Sequence, residues 1–303
     1  MKFSLMKSRL IREFCAECLG TFVLMSMALT AIAQRVLGGE AAGSQATVSW
    51  ATGIGVTLGV YVSGGVSGGH INPAVSVAMG ALGRLPWYKV PVYVLGQLIG
   101  SFLASAMVFF IYTDALNQYD GGERKVLGDK ATGAIWATYP QPYVSTWSGL
   151  LDQVFSTCFL LVCILAISDR RNMGPQSGLT PISLGLIVVA TNMTLALNCG
   201  NAMNPARDLA PRLFTAVAGW GTAPFSFRNY NWWWVPVAGP IIGALLGAAI
   251  YQGIVGRHWI HDDAQKSDSA SQTEPLLAMS SQVLRYRGET AEKSRQNADA
   301  DSS

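Results

Sequence analysis

The sequence carries very little charge for its length. Only 13% of its 303 residues are Asp, Glu, Lys or Arg, whereas soluble proteins average roughly 25%. Half of the residues are hydrophobic, and the charged residues are densest in the last segment, after residue 256. This composition argues against an ordinary soluble enzyme and indicates that something other than water surrounds most of the chain.

Residues that build cofactor, metal and nucleic-acid sites are also scarce. The three His and five Cys do not have the spacing of metal ligands, so we expect no metal and no cofactor. The net charge of +3 is small, and no basic stripe alternates with aromatic residues. Nucleic acid is therefore not an expected partner. No nucleophile or acid pair converges on one region, which leaves catalysis as the least supported function class.

Long uncharged stretches predict membrane spans. They cover residues 18–34, 41–83, 90–113, 131–151, 153–168, 172–206 and 229–256. A spanning helix needs about 20 apolar residues, and we predict six, at about 13–34, 48–67, 87–112, 146–168, 179–198 and 233–255. The stretches 41–83 and 172–206 exceed one span but are too short for two spans with a loop. Each should therefore contain one span and one re-entrant segment.

Six spans place both termini on one side of the lipid bilayer. Lys and Arg near the span ends favour that side as cytoplasmic; they are Lys2, Lys7, Arg9, Arg12, Arg84, Lys89, Arg170, Arg171 and Arg257. We expect a cytoplasmic segment at 1–12, a membrane domain at 13–256 and a polar, disordered cytoplasmic tail at 257–303. Ala31-Ile32-Ala33 resembles a signal-peptide cleavage site, but Glu17 interrupts the preceding apolar run.

An internal repeat organises the membrane domain. Asn-Pro-Ala occurs at Asn72-Pro73-Ala74 and again at Asn204-Pro205-Ala206, near the end of each overlong stretch. The repeat divides the domain into halves at about 13–112 and 146–256, joined by an external loop at 113–145. Each half holds three spans, and an odd number of spans inverts the second half in the membrane. An inverted repeat places its site near the midplane.

Both Asn-Pro pairs should open short helices, because Asn is a preferred N-cap and Pro is favoured at the first helical position. Ten residues of helix span about 15 Å, roughly half of the hydrocarbon core. The two half-helices should therefore enter from opposite faces and meet at their N-termini. The chain before each must run extended at membrane depth, which requires burial in protein or a water-filled cavity.

This arrangement favours passage of neutral solutes. Carbonyl groups of the extended segments would flank two Asn amide donors at the centre. Each helix N-terminus carries roughly +0.5 charge, so the pair opposes cations. Pore width, lining donors and half-helix dipoles are established controls of such selectivity.

Two carboxylates lie inside predicted spans, where unpaired charge is costly. Glu17 and Asp152 hold similar positions in the two halves. We expect both to act as struts that accept hydrogen bonds from backbone N–H groups of the loops, with Gln97 assisting. The alternative, a proton relay, offers few titratable partners in the spans beyond His70.

The two loops resemble the signature loops of the aquaporin family, over about residues 12–256. Ser67-Gly68-Gly69-His70-Ile71-Asn72-Pro73-Ala74-Val75 and Gly200-Asn201-Ala202-Met203-Asn204-Pro205-Ala206-Arg207-Asp208 carry this resemblance. Five residues resemble the glycerol-conducting branch, the aquaglyceroporins of vertebrate type: Tyr139, Asp208, Arg212, Pro236 and Val237. The resemblance implies an all-α fold of six transmembrane helices and two half-helices, a homotetramer with one pore per subunit, and a channel for glycerol and water.

The family's narrowest point, its selectivity filter, maps onto Thr52, Asn192, Asn201 and Arg207. Arg207 offers a rigid fork of donors for neighbouring hydroxyls and a permanent cation that repels protons and metal ions. Asn192 and Asn201 leave no aromatic wall for polyol carbons. This departure predicts a wider or more polar filter, which either admits urea or favours water over glycerol. His70 beside the cytoplasmic vestibule titrates near neutral pH as a free residue and predicts pH-dependent flux; its alternative role is a fixed loop support.

The leading hypothesis is a plasma-membrane channel for glycerol, water and other small neutral solutes such as urea, with a mainly water-selective channel as the alternative. A secondary transporter also uses inverted repeats and half-helices but would show saturable, ion-coupled flux. A structural junction protein with a blocked pore would show no solute flux.

Overall fold

The computed structural model describes residues 8–176 and 178–258, and within them every regular element is helical. The α-helices are α1 Arg9–Gly38, α2 Gln45–Ser67, α3 Pro73–Ala81, α4 Val90–Ile111, α5 Thr113–Asp120, α6 Thr146–Ser168, α7 Thr180–Leu195, α8 Pro205–Thr215, α9 Ala223–Ser226 and α10 Val235–Tyr251. The predicted architecture, six crossing helices with two half-helices, is confirmed. The half-helices are α3 and α8.

Helix ends differ from the predicted spans for local reasons. The first helix begins at Arg9 instead of residue 13, and the ion pair of Arg9 with Glu13 one turn later, at 2.8 Å, supports this added turn. Within the described part of the chain, five helices are long and apolar enough to cross a membrane, whereas α7 has 16 residues. It ends at Leu195, three residues before the predicted end at 198, because the chain there leaves the helix for the loop that precedes α8.

Glycine contacts define how the helices of the first half run. A Cβ atom added at Gly96 would lie 2.7 Å from the Phe14 carbonyl oxygen, and one at Gly100 would lie 2.1 Å from the Cys18 carbonyl oxygen. Residue numbers rise together, so α1 and α4 are parallel. The contacts of α1 with α2 run the other way, since Gly20 lies against Ser63 and Leu24 against Gly55. Small residues at these crossings allow backbones to touch, as is common in membrane helix pairs.

The second half repeats this packing in the inverted orientation. Gly239 lies against Gln153 and Gly247 against Leu161, so α6 and α10 are parallel. The two halves meet where Gly53 of α2 packs on Val189 of α7, with residue numbers running in opposite directions. Helices α1, α4 and α7 therefore run one way and α2, α6 and α10 the other. We call the face where α1 begins the first face and the opposite one the second face.

Chain contacts divide the protein into two units, residues 1–251 and 252–303. The first unit contains all ten α-helices. The second is described only to residue 258 and includes a π-helical segment, Gln252–Gly256. The predicted boundary of the membrane domain at residue 256 stays a prediction. Nearly all of the predicted disordered tail (257–303), and the start of the predicted segment 1–12, lie outside the described residues.

The close approach at Gly100 generates a stability prediction. We expect Gly100→Ala to destabilise the protein by about 1–3 kcal/mol, the usual cost of overpacking, because its methyl group would meet the Cys18 carbonyl. Gly65 is the matched control, since a Cβ there meets no atom within 4 Å and Ala favours a helix. Thermal unfolding in detergent, followed by tryptophan fluorescence, makes the comparison. Equal midpoints for the two variants would contradict the packing argument.

Candidate functional site

Each half-helix begins at an Asn that caps it. The Asn72 side-chain oxygen accepts a 2.9 Å hydrogen bond from the backbone N–H of Ala74. The Asn204 oxygen accepts bonds of 3.0 Å from Ala206 and 3.3 Å from Arg207. Pro73 and Pro205 occupy the first helical positions. These contacts fix the oxygen of each amide toward its own helix and turn its nitrogen outward.

The amide nitrogens then tie the two half-helices together. Asn72 Nδ2 donates to the Met203 carbonyl at 2.9 Å, and Asn204 Nδ2 donates to the Ile71 carbonyl at 2.8 Å. A side-chain amide has two N–H groups, so each Asn retains one more donor. Both residues line the central cavity. The N-termini of α3 and α8 therefore meet at one place and present two amide donors there.

Left-handed backbone conformations make this reciprocal bond possible. Ile71 and Met203, each just before its Asn, have φ angles of 43° and 49°. The left-handed region costs a non-glycine residue roughly 1–2 kcal/mol. Both residues are buried, and their carbonyls are the acceptors of the cross-connections. The two strained positions are related by the repeat, and the Asn amides compensate for the strain.

Glu17 supports the first loop. Its carboxylate accepts hydrogen bonds from the backbone N–H of His70 at 2.9 Å and of Ile71 at 2.7 Å. Ser67 Oγ at 2.6 Å and Gln97 Nε2 at 2.7 Å donate to it as well. Four donors compensate a fully buried charge. The predicted strut geometry is present here, and Gln97 takes part in it.

The second loop has a different support from the one expected. Gln153 Oε1 accepts the backbone N–H groups of Ala202 at 3.1 Å and Met203 at 3.3 Å. Asp152 receives neither; its carboxyl oxygen lies 3.5 Å from Ser156 Oγ and contacts the side chains of Asn198 and Cys199. The assignment of Asp152 as the loop strut is thus corrected to Gln153.

Helical periodicity carried the signal for Gln153. Adjacent residues of a helix point about 100° apart, so only one of the pair can face the loop. Gly149, Gln153, Ser156 and Leu160 form the buried face of α6, whereas Leu151 and Phe155 are exposed. A neutral amide oxygen supplies the same acceptor as a carboxylate without a buried charge. Gln153 is uncharged, so the expectation of a carboxylate did not indicate it.

A single cavity of about 680 Å³ connects these groups. It reaches Arg35 near the end of α1 on the second face and Ser168 at the end of α6 on the first face. Residues from the sequence analysis that line it are Thr52, His70, Asn72, Tyr139, Asn192, Asn201, Asn204 and Arg207. The cavity therefore extends along the direction of the helices and passes both half-helix N-termini.

The predicted filter residues share this cavity. Asn201 Nδ2 donates to Asn192 Oδ1 at 2.8 Å, so the two amides form one fixed pair. Asn201 adopts a φ angle of 51°, and its own side-chain oxygen is buried without a partner among the described residues. Arg207 donates from one guanidinium nitrogen to the Trp136 carbonyl at 2.8 Å. Thr52 bonds back to the Val48 carbonyl at 2.8 Å.

A buried ionic cluster holds the loop that positions Arg207. Asp208 accepts Thr138 N–H at 2.7 Å and the Nε of Arg212 at 2.9 Å. Arg212 also donates to the carbonyls of Thr138 and Pro224, both at 2.7 Å, and lies 4.7 Å from the Tyr139 ring centre. Burial raises the pKa of Tyr139 to about 12. Asp208 and Arg212 lie behind the cavity wall, as do Pro236 and Val237 at the start of α10.

His70 combines a lining position with fixed contacts. Its ring Nδ1 lies 3.1 Å from Ser76 Oγ, and its ring centre lies 5.1 Å from that of Tyr93. Its backbone N–H is the one bound by Glu17. The site therefore holds His70 from both the backbone and the ring, while one side of the residue faces the cavity.

Comparison with known proteins matches this geometry to one family. The family model described as "Major intrinsic protein" matches residues 4–251. The chain belongs to the major intrinsic protein family, the aquaporins. Human Aquaporin-10 is 50% identical over 252 residues, which cover 83% of each chain. Human Aquaporin-9 is 45% identical over 270 residues, covering 89% of this chain and 91% of the relative.

A solved structure has the same fold. The X-ray structure of the aquaglyceroporin from Plasmodium falciparum aligns with a TM-score of 0.74 at 29% identity, covering 81% of this chain and 97% of that one. This aquaporin is accordingly a multi-pass membrane protein of a channel family, and not an enzyme.

The correction at Gln153 gives a direct test. We expect Gln153→Leu to lower the thermal unfolding midpoint strongly, because two buried backbone N–H groups lose their acceptor, at about 1–3 kcal/mol each. Asp152→Asn is the matched control on the neighbouring residue and should change the midpoint much less. The comparison uses the same detergent assay. A larger effect from Asp152→Asn would restore the carboxylate as the support.

Proposed function

We propose that this chain is a passive membrane channel for glycerol, water and other small neutral solutes such as urea. The observation that carries the proposal is the meeting of Asn72 and Asn204 inside a cavity that extends between the two faces. A solute that sheds water to enter needs replacement hydrogen bonds. Loop carbonyls supply acceptors, and the two remaining amide N–H groups supply donors at the centre.

Exclusion of cations follows from the same meeting point. Two helix N-termini, each with roughly +0.5 charge, point at the centre of the cavity. Arg207 adds a permanent positive charge farther along the cavity. A proton or metal ion would therefore meet positive potential twice, whereas a neutral solute would not. Glycerol also gains from Arg207, whose guanidinium can donate to two hydroxyls at once.

The predicted filter favours polar solutes over less polar ones. Asn192 and Asn201 present a fixed amide pair where an aromatic wall would cover polyol carbons. Their amide groups replace apolar carbon surface in the cavity wall. This polarity suits urea and water. It also supports the second candidate, a mainly water-selective channel on the same fold.

The remaining expectations extend this proposal to the assembly and its location. We expect a homotetramer with one pore per subunit in the plasma membrane. The first face, where α1 begins, is then cytoplasmic, and both termini lie on that side. Residues 13–256 form the channel domain, and the chain between α4 and α6 forms the external loop.

Solute flux in proteoliposomes tests the channel. Under an inward glycerol gradient, stopped-flow light scattering should show rapid water loss followed by fast, non-saturating re-swelling, well above empty vesicles. Urea in place of glycerol should also enter. Arg207→Ala is the filter control and should weaken discrimination against ions because it removes the permanent cation.

Three outcomes separate the candidates. Water loss without glycerol re-swelling would favour the mainly water-selective channel. Saturable flux that depends on an ion gradient would indicate a transporter. No flux above empty vesicles would contradict both channel hypotheses.

We also predict pH-dependent flux through His70. Its ring lies in the cavity wall between Ser76 and Tyr93, with Glu17 bound to its backbone. A positive charge on the His70 ring would change the electrostatic potential inside the cavity. Glycerol permeability should differ between about pH 5.5 and pH 7.5. The difference should disappear in His70→Gln, and equal flux of the unaltered channel at both values would leave His70 as a loop support only.

A further inference from the structure

The seam between α1 and α4 carries polar residues that the solute path does not use. The helices are parallel, and Glu17 of α1 bonds Gln97 of α4 at 2.7 Å. One helical turn farther along each helix are Thr21 and Ser101, which therefore face each other above that bond. All four residues are completely buried, and none of them lines the central cavity.

Three side-chain atoms on this seam have no hydrogen-bond partner among the described residues: Gln97 Oε1, Thr21 Oγ1 and Ser101 Oγ. An unsatisfied buried polar group costs about 1–3 kcal/mol. Three of them within one turn of a helix pair are too many for a stable membrane protein unless something else binds there.

The hydroxyls of Thr21 and Ser101 also differ from most buried hydroxyls in these helices. Most other buried Ser and Thr hydroxyls in the described helices bond back to a carbonyl of their own helix, four residues earlier. Ser63 donates to Gly59 at 2.7 Å, Ser105 to Ser101 at 2.8 Å and Thr157 to Gln153 at 2.8 Å. Thr21 and Ser101 make no such bond. Both hydroxyls therefore keep their hydrogen-bonding capacity for a group between the helices.

We propose that one buried water molecule binds between α1 and α4, held by Gln97 Oε1, Thr21 Oγ1 and Ser101 Oγ. A buried water typically makes about three hydrogen bonds to otherwise unsatisfied polar groups, and three such atoms are present here. The water donates to the Gln97 oxygen, which can only accept, and exchanges hydrogen bonds with the two hydroxyls. The backbone contacts at Gly96 and Gly100 leave no room for a larger ligand.

This water completes the hydrogen bonding of Gln97. Glu17 only accepts, so the Gln97 nitrogen points to Glu17 at 2.7 Å and to Ser76 Oγ at 3.0 Å, and the water binds the amide oxygen that this orientation leaves over. Glu17 in turn binds the backbone of Ile71, whose carbonyl receives the Asn204 amide. A water outside the solute path thereby supports the meeting point of the two half-helices.

A structure at about 2 Å resolution of the purified channel, by electron cryomicroscopy, tests the site directly. We expect a density peak within hydrogen-bond distance of all three atoms. The double variant Thr21→Val with Ser101→Ala should lose this peak, because it removes both hydroxyls at nearly constant shape. Ser105→Ala is the matched control, since the Ser105 hydroxyl bonds only its own helix, and it should keep the peak.

Stability gives a second, independent readout. The double variant should unfold at a temperature lower by about 2–4 °C or more, and Ser105→Ala should change the midpoint less. Hydroxyls of Thr21 and Ser101 bonded to their own helix carbonyls, with no peak between them, would overturn the proposal. A peak that persists in the double variant would overturn it as well. Neither readout depends on which solute the channel conducts.

Discussion

Irregular backbone at membrane depth is the constraint on which the rest of this structure depends. A peptide N–H or C=O group without a partner is expensive where lipid replaces water, and two loops here leave their helices inside the bundle. Each loop has a side-chain acceptor behind it, Glu17 or Gln153, and a side-chain donor in front of it, the Asn of the opposite half. The carbonyls that these contacts leave unused are the ones that a solute can meet.

The two halves solve this problem with different chemistry. The first loop rests on a carboxylate that needs four donors, and its support extends along α1 and α4. The second rests on a neutral amide, and its buried charges lie farther out, in the Asp208–Arg212 pair. That pair is fully buried and fixes the loop whose Trp136 carbonyl orients Arg207. The supports of the two loops therefore occupy related positions in the two halves, but they use different residue types.

Much of the fold followed from the chain's own pattern. Uncharged stretches located the six crossing helices within a few residues, and the Asn-Pro pairs marked both half-helix starts, because capping is a local property. The odd number of spans in each half predicted the inversion. What failed was the expectation of Asp152 as the second strut, since spacing alone could not say that its neighbour Gln153 faces the loop.

The amino-acid pattern alone predicts that this chain lies in a membrane, repeats in inverted halves and places two capped half-helices near its middle. These features depend on composition, length and local capping. The tertiary structure decided that Asn72 and Asn204 bond across the repeat, that Asn192 and Asn201 pair with each other, and that Asp208 faces away from the cavity. Such contacts join residues that are distant in sequence or depend on left-handed backbone positions, and only the packed helices bring them within hydrogen-bond reach.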